Sequence, residues 1–136
     1  MALDLGTKRI GVAVSDETGT IAQGVSVIER VTDEKALKDI ISSADEYKVV
    51  KIIVGLPLRM NGTSGERADD CRKFADLLSE KSKRPVELWD ERLSTVEAEN
   101  TMLEADISRA KRKKNIDKLA AQIILQGYLD AQGAKK

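Results

Sequence analysis

Apolar and polar positions alternate over the first thirty residues with the period of a β-strand. "ALDLG" sets Ala2, Leu3 and Leu5 around a single acid, and "RIGVAVSD" alternates on Ile10, Val12 and Val14. Together they predict two strands joined by a tight turn over Gly6 to Lys8. "GVSVIER" predicts a third strand, and three short strands with brief connections predict an antiparallel meander. From Thr32 the period lengthens. Ala36, Leu37, Ile40 and Ile41 fall on one helix face, with Thr32 or Asp33 able to cap the start. "VVKIIVG" predicts a buried central strand, and "LPLRMNGTSGE" a loop rich in turn residues. Ala68, Cys71, Phe74, Ala75 and Leu78 predict a second helix, and "PVELWDE" another strand. "STVEAENTMLEA" predicts a helix in which Ser94 and Glu97 fit a capping box. The basic "DISRAKRKKN" breaks the periodicity. A last helix follows from about Ile116 through Leu129, with Leu119, Ala120, Ile123 and Ile124 as its apolar stripe, and the tail "AQGAKK" frays. The late alternation of strand and helix predicts parallel strands with helices packed on the sheet, an α/β fold in one domain over 1–136.

Composition narrows the chemistry. The chain has 136 residues, 41% hydrophobic and 34% charged, enough for one substantial core. No apolar run reaches the length of a membrane span and no signal peptide is visible, so a cytoplasmic location without membrane contact is the default expectation. A lone cysteine, Cys71, rules out an intrachain disulfide and reads as a helix residue rather than a nucleophile. There is no histidine, which removes histidine general bases, the Ser-His-Asp and Cys-His arrangements and ordinary zinc sites. Carboxylates, Lys, Arg, hydroxyls and a hard metal on oxygen ligands are what remain. The formal charge is zero from 23 basic and 23 acidic residues, yet Arg109, Lys111, Arg112, Lys113 and Lys114 crowd into "SRAKRKK". Such a cluster can hold a phosphate backbone or merely be solvated.

Three acidic positions stand out. Asp4 interrupts the first strand, Asp90 and Glu91 end the "VELWDE" strand, and Asp117 opens the last apolar stripe. Each has an ordinary reading alone: Asp4 bonding turn amides, Asp90 or Glu91 pairing with Arg92, Asp117 favouring a helix N-terminus. If the first strand and the "VELWDE" strand lie side by side and the last helix delivers Asp117, the carboxylates converge. Convergent carboxylates favour hard Mg²⁺ or Mn²⁺, and two such ions serve phosphodiester cleavage. "VGLPLRMNGTSGE" adds Arg59, Asn61 and Thr63 as donors near a helix start, with a plain strand-to-helix loop as the alternative. Lys8 and Arg9 beside Asp4 can contact phosphate. Trp89 and Phe74 read as core, and 3% aromatic residues leave little capacity for base stacking.

"LDLGTKRIGVAVSD", "VGLPLRMNGTSGERA", "LWDERLSTVEAE" and "SRAKRKKNIDKLAAQIILQGYLD" together resemble the YqgF (RuvX-like) family over nearly the whole chain, in order and with the family's spacing. The resemblance implies an RNase H-like fold, with a mixed five-stranded sheet whose first three strands are antiparallel, flanked by helices. It implies a nuclease acting on Holliday junctions or on precursor 16S ribosomal RNA, with Mg²⁺ or Mn²⁺. By position, the family's metal-binding acids fall on Asp4, on Glu91 or Asp90, and on Asp117. Arg9, Arg59, Arg92 and the basic stretch would position the nucleic acid. Family members carry a few more residues before the first acid, where this chain has Met1 to Leu3.

The expectation is therefore a metal-dependent nuclease acting on structured RNA, foremost a ribosomal RNA precursor, with ribosomal precursor particles as partners. A four-way DNA junction is the second substrate. A non-catalytic nucleic-acid-binding module is the rival from another class. A phosphotransferase is a third, since "DLGT" also opens the actin and sugar-kinase superfamily, but such enzymes need a second domain to close over ATP. Either a monomer or a C2 homodimer is compatible with these readings.

Overall fold

Strand β1 (Ala2–Leu5) lies inside the sheet, flanked on one side by β2 (Arg9–Ser15) and on the other by β4 (Ile52–Leu56). With β3 (Ala22–Glu29) and β5 (Val86–Asp90) it completes a five-stranded sheet of order β3-β2-β1-β4-β5. β1, β2 and β3 form the antiparallel meander, whereas β1–β4 and β4–β5 pair in parallel. Helices α1 (Asp33–Glu46), α2 (Glu66–Ser82) and α3 (Arg109–Ala134) complete the architecture. In this computed structural model the described residues are 1–6, 8–56, 65–90 and 109–134.

Strand alternation builds two cores. Leu3 and Leu5 of β1, Ile10, Val12 and Val14 of β2, and Ile52, Val54 and Leu56 of β4 face α1 and α2, where Ile40, Phe74 and Leu78 complete the larger core. Ala2, Ala13, Ala22 and Ile53 face the other way, onto Ala121, Ile124 and Leu125 of α3. Small residues on this second face allow α3 to come close. A Cβ on Gly24 of β3 would lie 2.9 Å from Lys118 Cβ and 3.0 Å from the Lys118 carbonyl oxygen, so only glycine fits beneath the helix. Gln126 and Gln122 of α3 accept hydrogen bonds from the N–H groups of Ala22 and Gly24, which satisfies donors on the outer strand β3.

Most elements fall where the sequence puts them. Thr32 caps α1, its side chain accepting from the Lys35 amide, and Cys71 is buried in α2. Three expectations change. The "VELWDE" strand is not beside the first strand, because β4 lies between them. β4 is buried at every position, so it takes the place where both faces and both edges are covered. The last helix begins at Arg109 rather than near Ile116, and its basic first turns are helical because Lys and Arg are good helix formers even where no apolar stripe marks the period. The tail does not fray at "AQG", since α3 continues to Ala134. The expected helix over 94–105 and the loop over 57–64 lie outside the described residues.

The start of β1 is firmly held. The Met1 amine donates to the Lys51 carbonyl at 3.1 Å, and the Met1 carbonyl accepts from the Ile53 amide at 2.8 Å. This amine sits at the opposite end of β1 from the Gly6 turn. Burial penalises its charged form and lowers its pKa from 8.0 to about 6. Between those values the unfolded chain binds the proton and the folded chain does not, so stability rises with pH across that window and is flat outside it. A series of urea titrations is expected to show a gain of up to about 2 kcal/mol from pH 6 to pH 8. A flat profile there would show that the amine stays hydrated.

Candidate active site

Asp4 is the half-buried acid of β1, and the pleat places it on the face that carries Ala2, the face covered by α3. Its register partner on β2 is Gly11. On the other side, β1 and β4 pair Ala2 with Ile53 and Leu3 with Val54. One further step in that register brings Gly55 alongside Asp4. Gly11 on β2 therefore brings no side chain directly opposite the acid, and continuing the β1–β4 register would set Gly55 on its other side.

β5 lies two strand spacings from β1, about 10 Å. On β5 the alternation separates two roles. Val86 and Leu88 pack against the larger core, while Trp89 packs against the α3 side with Tyr128, their rings edge to face at 5.5 Å between centroids. Asp90 has the parity of Leu88 and lies on the face opposite Asp4. Glu91 lies outside the described residues.

α3 runs antiparallel to β1. Its Gln122 meets Gly24 and its Gln126 meets Ala22, so the helix descends as β3 ascends, and β3 points the same way as β1. Ala121 packs in the same cluster as Ala2 and Ala13. Asp117 is one helical turn before Ala121, about 5.4 Å toward the C-terminal end of β1. Asp4 is two residues beyond Ala2 in the same direction, about 6.6 Å. The Asp117 side chain is outside the described set. So are those of Arg109, Lys111, Arg112, Lys113 and Lys114, whose backbone forms the first turns of α3, about 10–18 Å beyond Ala121 toward that same end. Arg59, Asn61 and Arg92 lie outside the described residues altogether.

The turn after Asp4 is tightly specified. The Gly6 amide donates to the Arg9 carbonyl at 2.8 Å, and a Cβ on Gly6 would lie 2.6 Å from that oxygen, so a side chain is excluded there. Lys8 is exposed, and Arg9 is partly buried with its Nε 3.9 Å from Glu29. Two guanidinium groups that the sequence did not single out reach this turn from the α1/α2 side. Arg67 donates to the Leu5 carbonyl at 3.2 Å and Arg30 to the Gly6 carbonyl at 3.0 Å. Burial works against the Arg30 charge, but hydrogen bonds from its fork to Asp70 and Asp33 outweigh burial and hold its pKa above the ordinary value. The "IER" at the end of the third strand was the available signal, a lone cation following an apolar strand.

The family model described as RuvX, Holliday junction resolvase, matches residues 1–131. The chain belongs to the RuvX family. A relative from Myxococcus xanthus, named "Putative pre-16S rRNA nuclease", is 54% identical over 131 residues, covering 96% of this chain and 87% of the relative. One of the same name from Halothermothrix orenii is 55% identical over 132 residues, covering 97% of this chain and 94% of the relative. Among solved structures, Thermus thermophilus RuvC matches with a TM-score of 0.60 at 10% identity, covering 97% of this chain and 94% of that one. RuvC of the same organism in complex with a Holliday junction substrate matches at 0.61 and 12%, covering 97% and 93%. At such identities the likeness establishes the fold. It is RNase H-like, as the family resemblance implied.

Among the described residues no helix is long and apolar enough to cross a membrane.

Proposed function

We propose that this chain is a divalent-metal-dependent nuclease that hydrolyses phosphodiester bonds in the maturation of the 5′ end of precursor 16S rRNA. The observation that carries the reading is the placement of Asp4, a half-buried acid on an inner strand opposite Gly11, in a chain that matches relatives named "Putative pre-16S rRNA nuclease" along almost its full length.

The donor set suits a hard cation. Asp4 supplies carboxylate oxygen, the chain has no histidine, and the acids proposed to act with Asp4 are again oxygen donors, which fits Mg²⁺ or Mn²⁺. Such ions supply charge neutralisation at the scissile phosphate and a lowered pKa for water. Asp4, Glu91 and Asp117 are the proposed ligands. The parity of β5 supports Glu91 over Asp90, because Asp90 shares the face of Leu88 and not that of Asp4. The antiparallel run of α3 supports Asp117, because one turn of helix keeps pace with two residues of β1. Lys8, Arg9, Arg59, Asn61, Arg92 and the cations at 109–114 are proposed to hold the substrate backbone. Lys8, Arg9 and the first turns of α3 all belong to the end of the sheet where Asp4 sits.

A four-way DNA junction is the second substrate, favoured by the description of the family and by the fold shared with RuvC. Cleavage of precursor 16S rRNA ends and of a synthetic junction, each with Mg²⁺, with Mn²⁺ and with excess chelator, tests both. Metal-dependent cutting of the RNA in preference to the junction is expected, and the reverse preference would replace the RNA reading with the resolvase reading. In the same assay Glu91→Gln is expected to lower the rate about 100-fold or more and Asp90→Asn about 10-fold or less, since only a residue acting at the reacting atoms carries several kcal/mol of barrier. A larger loss for Asp90→Asn would assign the second ligand to Asp90.

A further inference from the structure

Arg30 follows the last residue of β3 and is buried, its side chain 8% exposed. Its fork is almost fully used. Nε donates to Asp33 at 3.0 Å, Nη1 to Asp70 at 2.9 Å and to the Gly6 carbonyl at 3.0 Å, and Nη2 to Asp70 at 3.1 Å. The guanidinium carbon stands 5.1 Å from the centroid of the Phe74 ring. The Arg30 backbone amide donates to the Lys8 carbonyl at 2.8 Å. One residue thus touches the first turn of α1, the body of α2 and both ends of the Gly6–Lys8 turn. Arg67 adds a bond to the Leu5 carbonyl. The carbonyls of the two residues that follow Asp4 are therefore each held by a guanidinium from the far side of the sheet.

Stability alone does not account for this arrangement. Asp33 and Asp70 are about half exposed, at 54% and 49%, which limits what the network adds to stability even with a bidentate pair in it. What the fork supplies is direction. Two bonds to Asp70 and one to Asp33 fix the plane of the guanidinium, and a fixed plane fixes the Gly6 carbonyl. That carbonyl belongs to the second residue after Asp4, and the Arg30 amide bonds the Lys8 carbonyl, so Arg30 holds the chain on both sides of position 7. Misplacement of a reacting group by about 1 Å can cost about 100-fold in rate.

We propose that Arg30, held by Asp70 and Asp33, is a positioning residue for the active site, fixing the turn that presents Asp4 and Lys8 through its bond to the Gly6 carbonyl. The inference rests on the nuclease reading for its consequence and on the described contacts for its geometry. It requires a fork and not merely a cation, since lysine has no planar pair of donors.

The test uses the full chain with Arg30→Lys and, separately, Asp70→Asn, which keeps the arginine and its ring contact. Both are measured for rRNA cleavage, for Mn²⁺ binding by calorimetry and for amide hydrogen exchange. For Arg30→Lys, kcat is expected to fall about 10-fold while KM for the RNA stays within about two-fold. Mn²⁺ affinity is expected to weaken about 10-fold, as when a metal ligand loses its orienting partner. The Gly6 and Arg30 amides are expected to exchange about 10-fold faster, with Val12 and Phe74 unchanged. Asp70→Asn is expected to show the same pattern at smaller amplitude. Unchanged kcat and Mn²⁺ affinity in a folded variant would overturn the proposal, as would a loss confined to KM. Faster exchange throughout the core would overturn it too, reducing Arg30 to a general structural brace. If the wild type cuts neither substrate, the nuclease reading fails by itself, while exchange and Mn²⁺ binding still decide whether Arg30 sets the turn.

Discussion

Asp4→Asn is expected to abolish metal-dependent cleavage of precursor 16S rRNA while leaving the fold intact. Asparagine has nearly the same shape, and Asp4 is only half buried, so the sheet accepts the change. The charge, however, is what would hold a divalent cation against β1. Losing several kcal/mol of charge stabilisation at the reacting phosphate corresponds to a rate reduction of about 1000-fold or more. RNA binding measured by fluorescence anisotropy in the absence of metal should be unchanged, because backbone phosphates are held by cations rather than by this acid. Persistent cutting at more than about a tenth of the wild-type rate would remove Asp4 from the chemistry. Normal cellular processing by the Asn variant, combined with loss of processing when Lys111 to Lys114 are replaced, would move the protein to the class of binding modules.

The second large effect belongs to the core. Phe74 is 1% exposed and heads the fully buried side chains. It fills the space between α2 and the sheet face built by Leu3, Leu5, Ile10 and Val54. Phe74→Ala is expected to lower the unfolding free energy by about 3–5 kcal/mol through lost transfer energy and a residual cavity. Set against a typical total of about 5–15 kcal/mol, that leaves a protein close to its limit. Urea titration followed by Trp89 fluorescence measures it directly. A loss under about 1 kcal/mol would mean that α2 collapses into the gap and that the larger core is less rigid than its packing indicates. The same substitution removes the ring under Arg30, so activity should fall further than the unfolded fraction explains.

Much of this was legible in the sequence because short-range physics set it. The alternation on Ile10, Val12 and Val14 survives unchanged in the larger core, and Thr32 caps the helix that its position announced. Asp4 was conspicuous as an acid among apolar strand neighbours, and the structure places it half-buried on β1. Strand order was less legible. An alternation of strands and helices dictates parallel pairing but does not say which strands are neighbours, and β4, apolar on both faces, came to lie between β1 and β5. The extent of α3 was hidden because lysines and arginines form helix without marking its period. The role of Arg30 was hidden for a different reason. Its partners Asp33, Asp70 and Gly6 are 3, 40 and 24 residues away, and no local pattern encodes their meeting.

The contact between α3 and β1 has a consequence for the order in which the protein is made. The face of the sheet that carries Asp4 is covered by the last described helix, through Ala121, Ile124 and Leu125 against Ala2, Ala13 and Ile53. α1, α2 and the strands can assemble the larger core as they emerge from the ribosome, but among the described residues the cover of this second face comes from residues beyond 120. Asp4 precedes α3 by more than a hundred residues and acquires its surroundings only when that helix arrives. A nascent or truncated chain can therefore be folded on one side of its sheet while the other side, the one that carries Asp4, still lacks the helix that covers it.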